Sequence, residues 1–504
     1  MSEHSPIPKA SLTKRATTGA AWLVIARLST KAIDFVNLLI LARLLSPSEF
    51  GITAVAVSVV QIIEAVFELP TGQVLIRQKE VPKDYVDTAF TLSVLRGLCL
   101  TTILLALTVP LSRFYDDDRL LFILLFIGLA PIARGLVSPR MVLYSRVLDF
   151  RRDFATDVFG KLMALGAATL AALAWHDYRA LIVATVASPI SSAMLSYALA
   201  PYVPRLSLRS WPAFAHFVGW STASQFISAM NWQFDRLILG RLVPSGPLGD
   251  YSLANDLSFL PEQALIKPIV QPLMAAFAAI RDDDVRLQQA YTKSAITVLA
   301  VGTPVLVGLS MLADPAVRLV LGGKWLSAIP ILGWLPLTLV PLLYVSPVAP
   351  LAMARGRPDI VWQYSALEAL YRLPAIALGA FLAGIKGVII ARMVASCLAT
   401  LVSFYYVRKL IRIPFYRQAM ASWRVLAAAV SLAIFLSVVG NWLNGEQGIM
   451  LAALLFLAGA LGLIEYCTAL LLLWLLSGRP DGVESLVIEK VRTLVKSRWL
   501  RAAG

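Results

Sequence analysis

The stretch IMLAALLFLAGALGLIEYCTALLLLWLL, residues 449–476, carries one charged side chain, Glu465. A helix crossing a hydrocarbon layer of roughly 30 Å needs about 20 apolar residues, so this stretch can span a bilayer and is too apolar to face water. Working toward the N-terminus, the same test finds a run at 425–442, then runs at 388–407, 361–383, 328–352, 291–312, 248–272 and 214–239. A polar break with Pro201, Pro204, Arg205, Arg209 and Pro212 follows, and beyond it lie runs at 180–200, 154–175, 120–136, 88–111, 50–69 and 19–41. With 58% hydrophobic and 15% charged residues and a mean hydropathy of +0.74 over 504 residues, the whole chain belongs in lipid.

These runs predict an all-α integral membrane protein with about 14 transmembrane helices. A six-helix lobe occupies 1–200, a second occupies 213–407, and helices 13 and 14 fill 408–476. The tail, 477–504, places apolar residues at helical spacing among Lys490, Arg492, Lys496 and Arg498, the pattern of an amphipathic helix on the inner leaflet. Lys9, Lys14 and Arg15 precede the first run, which no small-residue cleavage site closes, so a retained first helix is expected rather than a signal peptide.

The distribution of positive charge tests the helix count, because one missed span would scramble it. With the N-terminus inside, the cytoplasmic segments hold 29 of the 45 Lys and Arg residues and the opposite connections only 8. Both termini are therefore expected in the cytoplasm. The net charge of +15 follows from this topology; there is no concentrated basic module of the kind that binds nucleic acid.

Sliding the chain 198 positions along itself brings Trp22 onto Trp220, Leu39-Ile40-Leu41 onto Leu237-Ile238-Leu239, Arg43-Leu44 onto Arg241-Leu242, Gly51 onto Gly249 and Ala56 onto Ala254. An offset of six helices preserves orientation, so the two lobes are expected to be parallel repeats.

Catalytic chemistry finds little footing. Cys99, Cys397 and Cys467 are scattered through apolar runs, with no metal spacing or disulfide framework, and read as packing residues. Asp116-Asp117-Asp118 and Asp282-Asp283-Asp284 fall in connections predicted on opposite sides and read as solvated charge. Gly322-Gly323-Lys324-Trp325 is no phosphate loop, since position 318 is Arg and Trp follows the lysine. The longest connections, about 20 residues, leave a saccharide polymerase or glycosyltransferase no large domain, so no enzyme is expected.

Several strings carry a family resemblance: LARLLSPSEFG at 41–51, VLIRQKEVPKDYVDTAF at 74–90, PRMVLYSRVLDFRRDF at 139–154, LGDYSLANDLSFLP at 248–261 and VLGGKWLSAIPIL at 320–332. The chain resembles the polysaccharide transporters, the Wzx-type lipid-linked oligosaccharide flippases of the multidrug/oligosaccharidyl-lipid/polysaccharide exporter superfamily. The resemblance implies two six-helix lobes around a central cavity, two additional C-terminal helices, alternating access, and a polyprenyl-diphosphate-linked repeat unit as cargo in a bacterial inner membrane. A polysaccharide polymerase and export machinery are the protein partners it suggests. A drug or cation exporter of the same superfamily is the rival reading; it would favour acids and aromatics and twelve helices.

Charges inside spans cost roughly 2.5 to 3.5 kcal/mol each on insertion scales, so each asks for water, a partner or a role. Arg27, Lys31 and Asp34 share one face of the first helix. Lys161, Arg236, Lys267, Arg372 and Arg392 add positive charge in later helices, and with Arg27 and Lys31 they are the candidate substrate pathway for a diphosphate. The acids Asp34, Glu64, Asp235, Asp256 and Glu368 are candidates for binding a coupling proton or sodium ion; no cofactor is expected beyond such a gradient. Competing readings exist for several: Glu368 and Arg372 at i, i+4 can close a pair of their own, and Glu64 with Glu68 at the same spacing would form a like-charged pair. Five prolines between 330 and 350 predict a broken tenth helix.

Overall fold

The computed structural model describes residues 9–69, 71–77, 81–215, 218–443 and 445–478, and the predicted tail beyond 478 lies outside them. The chain forms two compact units, Met1–Ser252 and Leu253–Gly504. The first holds α1 (Lys9–Leu44), α2 (Pro47–Val66), α3 (Thr71–Arg77), α4 (Lys83–Tyr115), α5 (Arg119–Ile127), α6 (Ala130–Gly135), α7 (Met141–Arg146), α8 (Arg151–Trp175), α9 (Arg179–Leu199), α10 (Trp211–Ala215) and α11 (Val218–Leu242). The boundary falls inside α12 (Ser245–Pro261). The second unit continues through a π-helical turn at Glu262–Ile266 into α13 (Lys267–Val270), α14 (Leu273–Ala279), α15 (Asp284–Met311), α16 (Ala313–Ala316), α17 (Ile329–Trp334), α18 (Val340–Val345), α19 (Val348–Ala354), α20 (Pro358–Ile411), α21 (Phe415–Trp442) and α22 (Gly448–Leu476).

Among the described residues, nine segments are long and apolar enough to cross a membrane. One is α20, whose 54 residues would stretch about 80 Å as a straight helix, far beyond a bilayer. It turns back at Ala383 and at Gly384, whose φ of 56° favours glycine. The returning arms touch at Gly379 and Gly387: a Cβ on either would meet the other's carbonyl oxygen at 2.4 Å or 1.9 Å. This segment is the helix pair predicted at 361–383 and 388–407.

Two predicted single spans are interrupted. The run 120–136 forms α5 and α6, separated at Gly128 and Leu129, because Pro131 has no amide hydrogen to continue the ladder. The proline-rich run divides as predicted, into 3-10 turns at Gly323–Ala328 and Pro336–Leu339 and the short α17, α18 and α19. The three cysteines correct the packing expectation, since all are exposed rather than buried.

The repeat is visible in the backbone of the first unit. Helix α1 ends at Leu44 and α11 at Leu242, while α2 begins at Pro47 and α12 at Ser245, so each pair keeps the 198-residue offset. The closing hydrogen bonds match too: the Leu45 amide donates to the Leu41 carbonyl at 2.8 Å, and Val243 to Leu239 at 2.9 Å. Helices α2 and α12 then cross at their matched glycines. A Cβ on Gly51 would sit 1.9 Å from the Ser245 carbonyl oxygen, and one on Gly249 would sit 1.7 Å from that of Pro47. The two contacts are the same contact with the copies exchanged.

Candidate substrate pathway

Helix α1 lies along α8, with Trp22 packed on Phe154 at 5.2 Å between ring centroids and the Arg151 guanidinium 5.7 Å over the Trp22 ring. That packing brings Asp34 to Lys161, whose Nζ stands 2.6 Å from one carboxylate oxygen; Lys31 Nζ, one turn back along α1, is 3.8 Å from the other. The three side chains are 33–37% exposed, so the group is open on one side. Arg27, four residues before Lys31, is exposed. Two lysines share the Asp34 carboxylate, Asp157 of α8 stands near Lys161 as a second acid, and Arg27 adds a third cation, which leaves three cations to two acids.

Glu64 finds its partners outside its own helix. Helix α2 ends at Val66, so Glu68 lies two residues beyond the helix. Glu64 instead holds Arg134 of α6 in an ion pair, and its backbone carbonyl accepts from Arg96 of α4 at 3.1 Å. Through its carboxylate and its carbonyl, Glu64 thus ties α2 to α6 and α4 by bonds from two guanidiniums.

Asp235 and Arg236 turn to neighbouring residues of α12. Asp235 accepts from the Tyr251 hydroxyl, and Arg236 donates to the Ser252 carbonyl at 3.3 Å; both are buried. In the second unit Arg372 closes on Glu368 at 2.8 Å, with side-chain exposures of 7% and 15%. Arg392 donates to Asn255 Oδ1 at 2.7 Å and stands 5.5 Å over the Phe259 ring. Lys267 and Asp256 are exposed. Of the seven candidate cations, then, Lys31 and Lys161 meet at one acid, while Arg236, Arg372 and Arg392 are buried against separate local partners.

The acidic runs act locally. Asp117 grips Arg119 at 2.6 Å, which raises the guanidinium's proton affinity, and Arg119 also reaches the hydroxyls of Ser48 and Ser245, both at 3.1 Å. Asp283 caps α15 by accepting from the Arg286 amide, and Asp284 pairs with Arg355. The polar break after α9 is fastened to α4: the Tyr202 hydroxyl donates to Asp87 at 2.6 Å, and Ser207 and Ser210 amides donate to Thr91 and Thr88. Burial and the Asp87 bond push the Tyr202 phenol well above its ordinary range.

An uncharged group escaped the sequence reading. Gln233 of α11 donates to Gln61 of α2, and its own amide oxygen accepts from Ser58 at 2.9 Å. No charge marks these residues, and only their position within apolar runs could have flagged them.

The family model described as "Polysaccharide biosynthesis protein" matches residues 40–330. The lipopolysaccharide biosynthesis protein WzxC of Escherichia coli (strain K12) is 25% identical over 441 residues, covering 86% of this chain and 90% of that protein. The succinoglycan biosynthesis transport protein ExoT of Rhizobium meliloti (strain 1021) is 26% identical over 498 residues, covering 97% of each. Among solved structures, the lipid II flippase MurJ in an inward closed conformation superposes with a TM-score of 0.66 at 13% identity, over 88% of this chain and 97% of that one. An inward-facing multidrug resistance MATE transporter of the MOP superfamily superposes with 0.61 at 13% identity, over 79% and 99%. At such identities the superpositions establish a shared fold.

Proposed function

This chain belongs to the polysaccharide biosynthesis protein family, and on that premise we propose that it flips polyprenyl-diphosphate-linked oligosaccharide repeat units across the bacterial inner membrane by alternating access. The cargo serves exopolysaccharide or surface polysaccharide assembly, and both termini face the cytoplasm, where the positive charge concentrates. Supporting this reading are the names of the full-length relatives, WzxC and ExoT, which place those proteins in polysaccharide biosynthesis. The observation that carries it is the meeting of Lys31 and Lys161 at Asp34, with Arg27 a turn away. A diphosphate leaving water needs its hydration replaced by fixed cationic donors, and charge-assisted hydrogen bonds are the strong ones. A drug cation would instead be repelled by this excess.

In the proposed cycle, cargo draws Lys31 and Lys161 toward its phosphates and leaves Asp34 to a proton or sodium ion from the gradient, which makes Asp34 the coupling acid. The lobes at 1–200 and 213–407 alternate around the cargo, and the broken stretch 323–354 supplies the hinge. Polymerase and export machinery receive the product on the outer face.

Replacing Arg27 and Lys31 together with Gln should slow flipping of lipid-linked saccharide in reconstituted vesicles about a hundredfold, the loss of two hydrogen bonds from charged donors. Lys161 still satisfies Asp34 in this variant, so thermal unfolding should stay near that of the parent. Deleting the gene should make a polyprenyl-linked saccharide accumulate on the cytoplasmic side; flipping at the parental rate by the double variant would remove the cluster from the mechanism.

A further inference from the structure

Beside the charged cluster, the first unit holds a patch of neutral hydrogen-bonding groups that neither helix capping nor ion pairing requires. Gln233 sits in α11 with nine residues beyond it on the nearer side, about 13 Å of helix, which places it at hydrocarbon depth. It joins Gln61 and Ser58 of α2, one amide donating to the other and the second oxygen taking the serine hydroxyl. Ser58 is fully buried, Gln233 partly so, and Gln61 is exposed. Amides serving only to join two helices would be sequestered between them. An exposed amide at this depth cannot face acyl chains without leaving polar atoms unsatisfied, so Gln61 faces water or a polar ligand.

We propose that Gln61, oriented by Gln233 and Ser58, is a saccharide subsite that hydrogen-bonds ring hydroxyls of the cargo, separate from the cationic groups that take its phosphates. An amide presents a donor and an acceptor side by side, which suits vicinal hydroxyls, and its neutrality keeps it from competing for phosphate. Gln233 uses its amino group on Gln61 and its oxygen on Ser58; this orients the Gln61 amide and leaves its NH2 group directed away from that bond. Trp232, the residue before Gln233, is 39% exposed and offers the amphipathic ring suited to the carbon-hydrogen face of a sugar. The subsite rests on the flippase reading above, and it assigns recognition of the sugar, as distinct from the lipid diphosphate, to α2 and α11.

The test uses the full chain in nanodiscs with two probes: the polyprenyl-linked saccharide purified from cells lacking the gene, and polyprenyl diphosphate without sugar. Gln61→Ala and the isosteric Gln61→Glu should each weaken binding of the saccharide-bearing lipid about tenfold, the scale of lost neutral hydrogen bonds, and leave the sugar-free lipid unchanged. Unchanged binding of the sugar-free lipid also shows that the variants are folded. Equal weakening for both probes would mean that the amides only hold the helices together, and unaltered binding of the saccharide-bearing lipid would likewise overturn the subsite. In either case the flippase reading stands. Failure of the parent chain to bind either probe would sink both.

Discussion

Replacing Gly249 with valine is expected to destabilise the protein by about 3 kcal/mol or more, the upper range for overpacking where nothing soft can yield. A Cβ at this position would lie 1.7 Å from the Pro47 carbonyl oxygen, and both groups belong to helical backbone, so relief requires α2 and α12 to separate. Separation would also break the hydroxyl contact of Ser48 with Ser245 at 2.7 Å and pull both from Arg119. Gly51→Val should cost a similar amount, because its Cβ meets the Ser245 carbonyl in the exchanged version of the same crossing. Thermal unfolding in detergent measures both; a large loss for one glycine and none for the other would contradict the exchanged geometry.

The second large effect concerns the buried ion pair of α20. Glu368→Leu removes the carboxylate that Arg372 holds at 2.8 Å with only 7% of its side chain exposed. Removing one partner of a buried pair typically costs about 3 to 5 kcal/mol, whereas replacing both by apolar residues is often neutral. Glu368→Leu should therefore unfold at much lower temperature, and Glu368→Leu with Arg372→Met should recover most of the loss. The double variant also decides the transport role of Arg372. Flipping near the parental rate would make the pair structural, and a folded but inactive protein would return Arg372 to the cargo pathway.

Most of the architecture was legible before the structure because lipid enforces a simple rule: apolar runs must be helices long enough to cross. The pair at 361–383 and 388–407 was separable from two polar-flanked runs even though the backbone turns within a few residues at Gly384. The 198-residue offset was readable because glycine, tryptophan and arginine matches stand out against an aliphatic background. Interruptions were harder. Five prolines announced the broken stretch at 323–354, whereas one proline and two glycines in the run at 120–136 were too few to mark the gap between α5 and α6.

The candidate pathway was legible by residue type and less so by pairing. Arg27, Lys31 and Asp34 follow from helical spacing, and Glu368 with Arg372 from the i, i+4 rule. The bond from Asp34 to Lys161 depends on how α1 packs on α8, which no local pattern encodes. The partners of Glu64 come from α4 and α6, contacts that no spacing within α2 encodes. The amides at Gln61 and Gln233 carry no charge to mark them, and their pairing depends on how α2 packs on α11.

The exchanged glycine crossing between α2 and α12 constrains both copies at once. Each copy lends the other a carbonyl at the equivalent place, which is how the two subunits of a symmetric homodimer meet. A bulky change on one side therefore cannot be relieved by a smaller residue on the other, because both obstacles are backbone carbonyls. Within this chain the two glycines are bound to each other's fate, since enlarging either drives the same two helices apart.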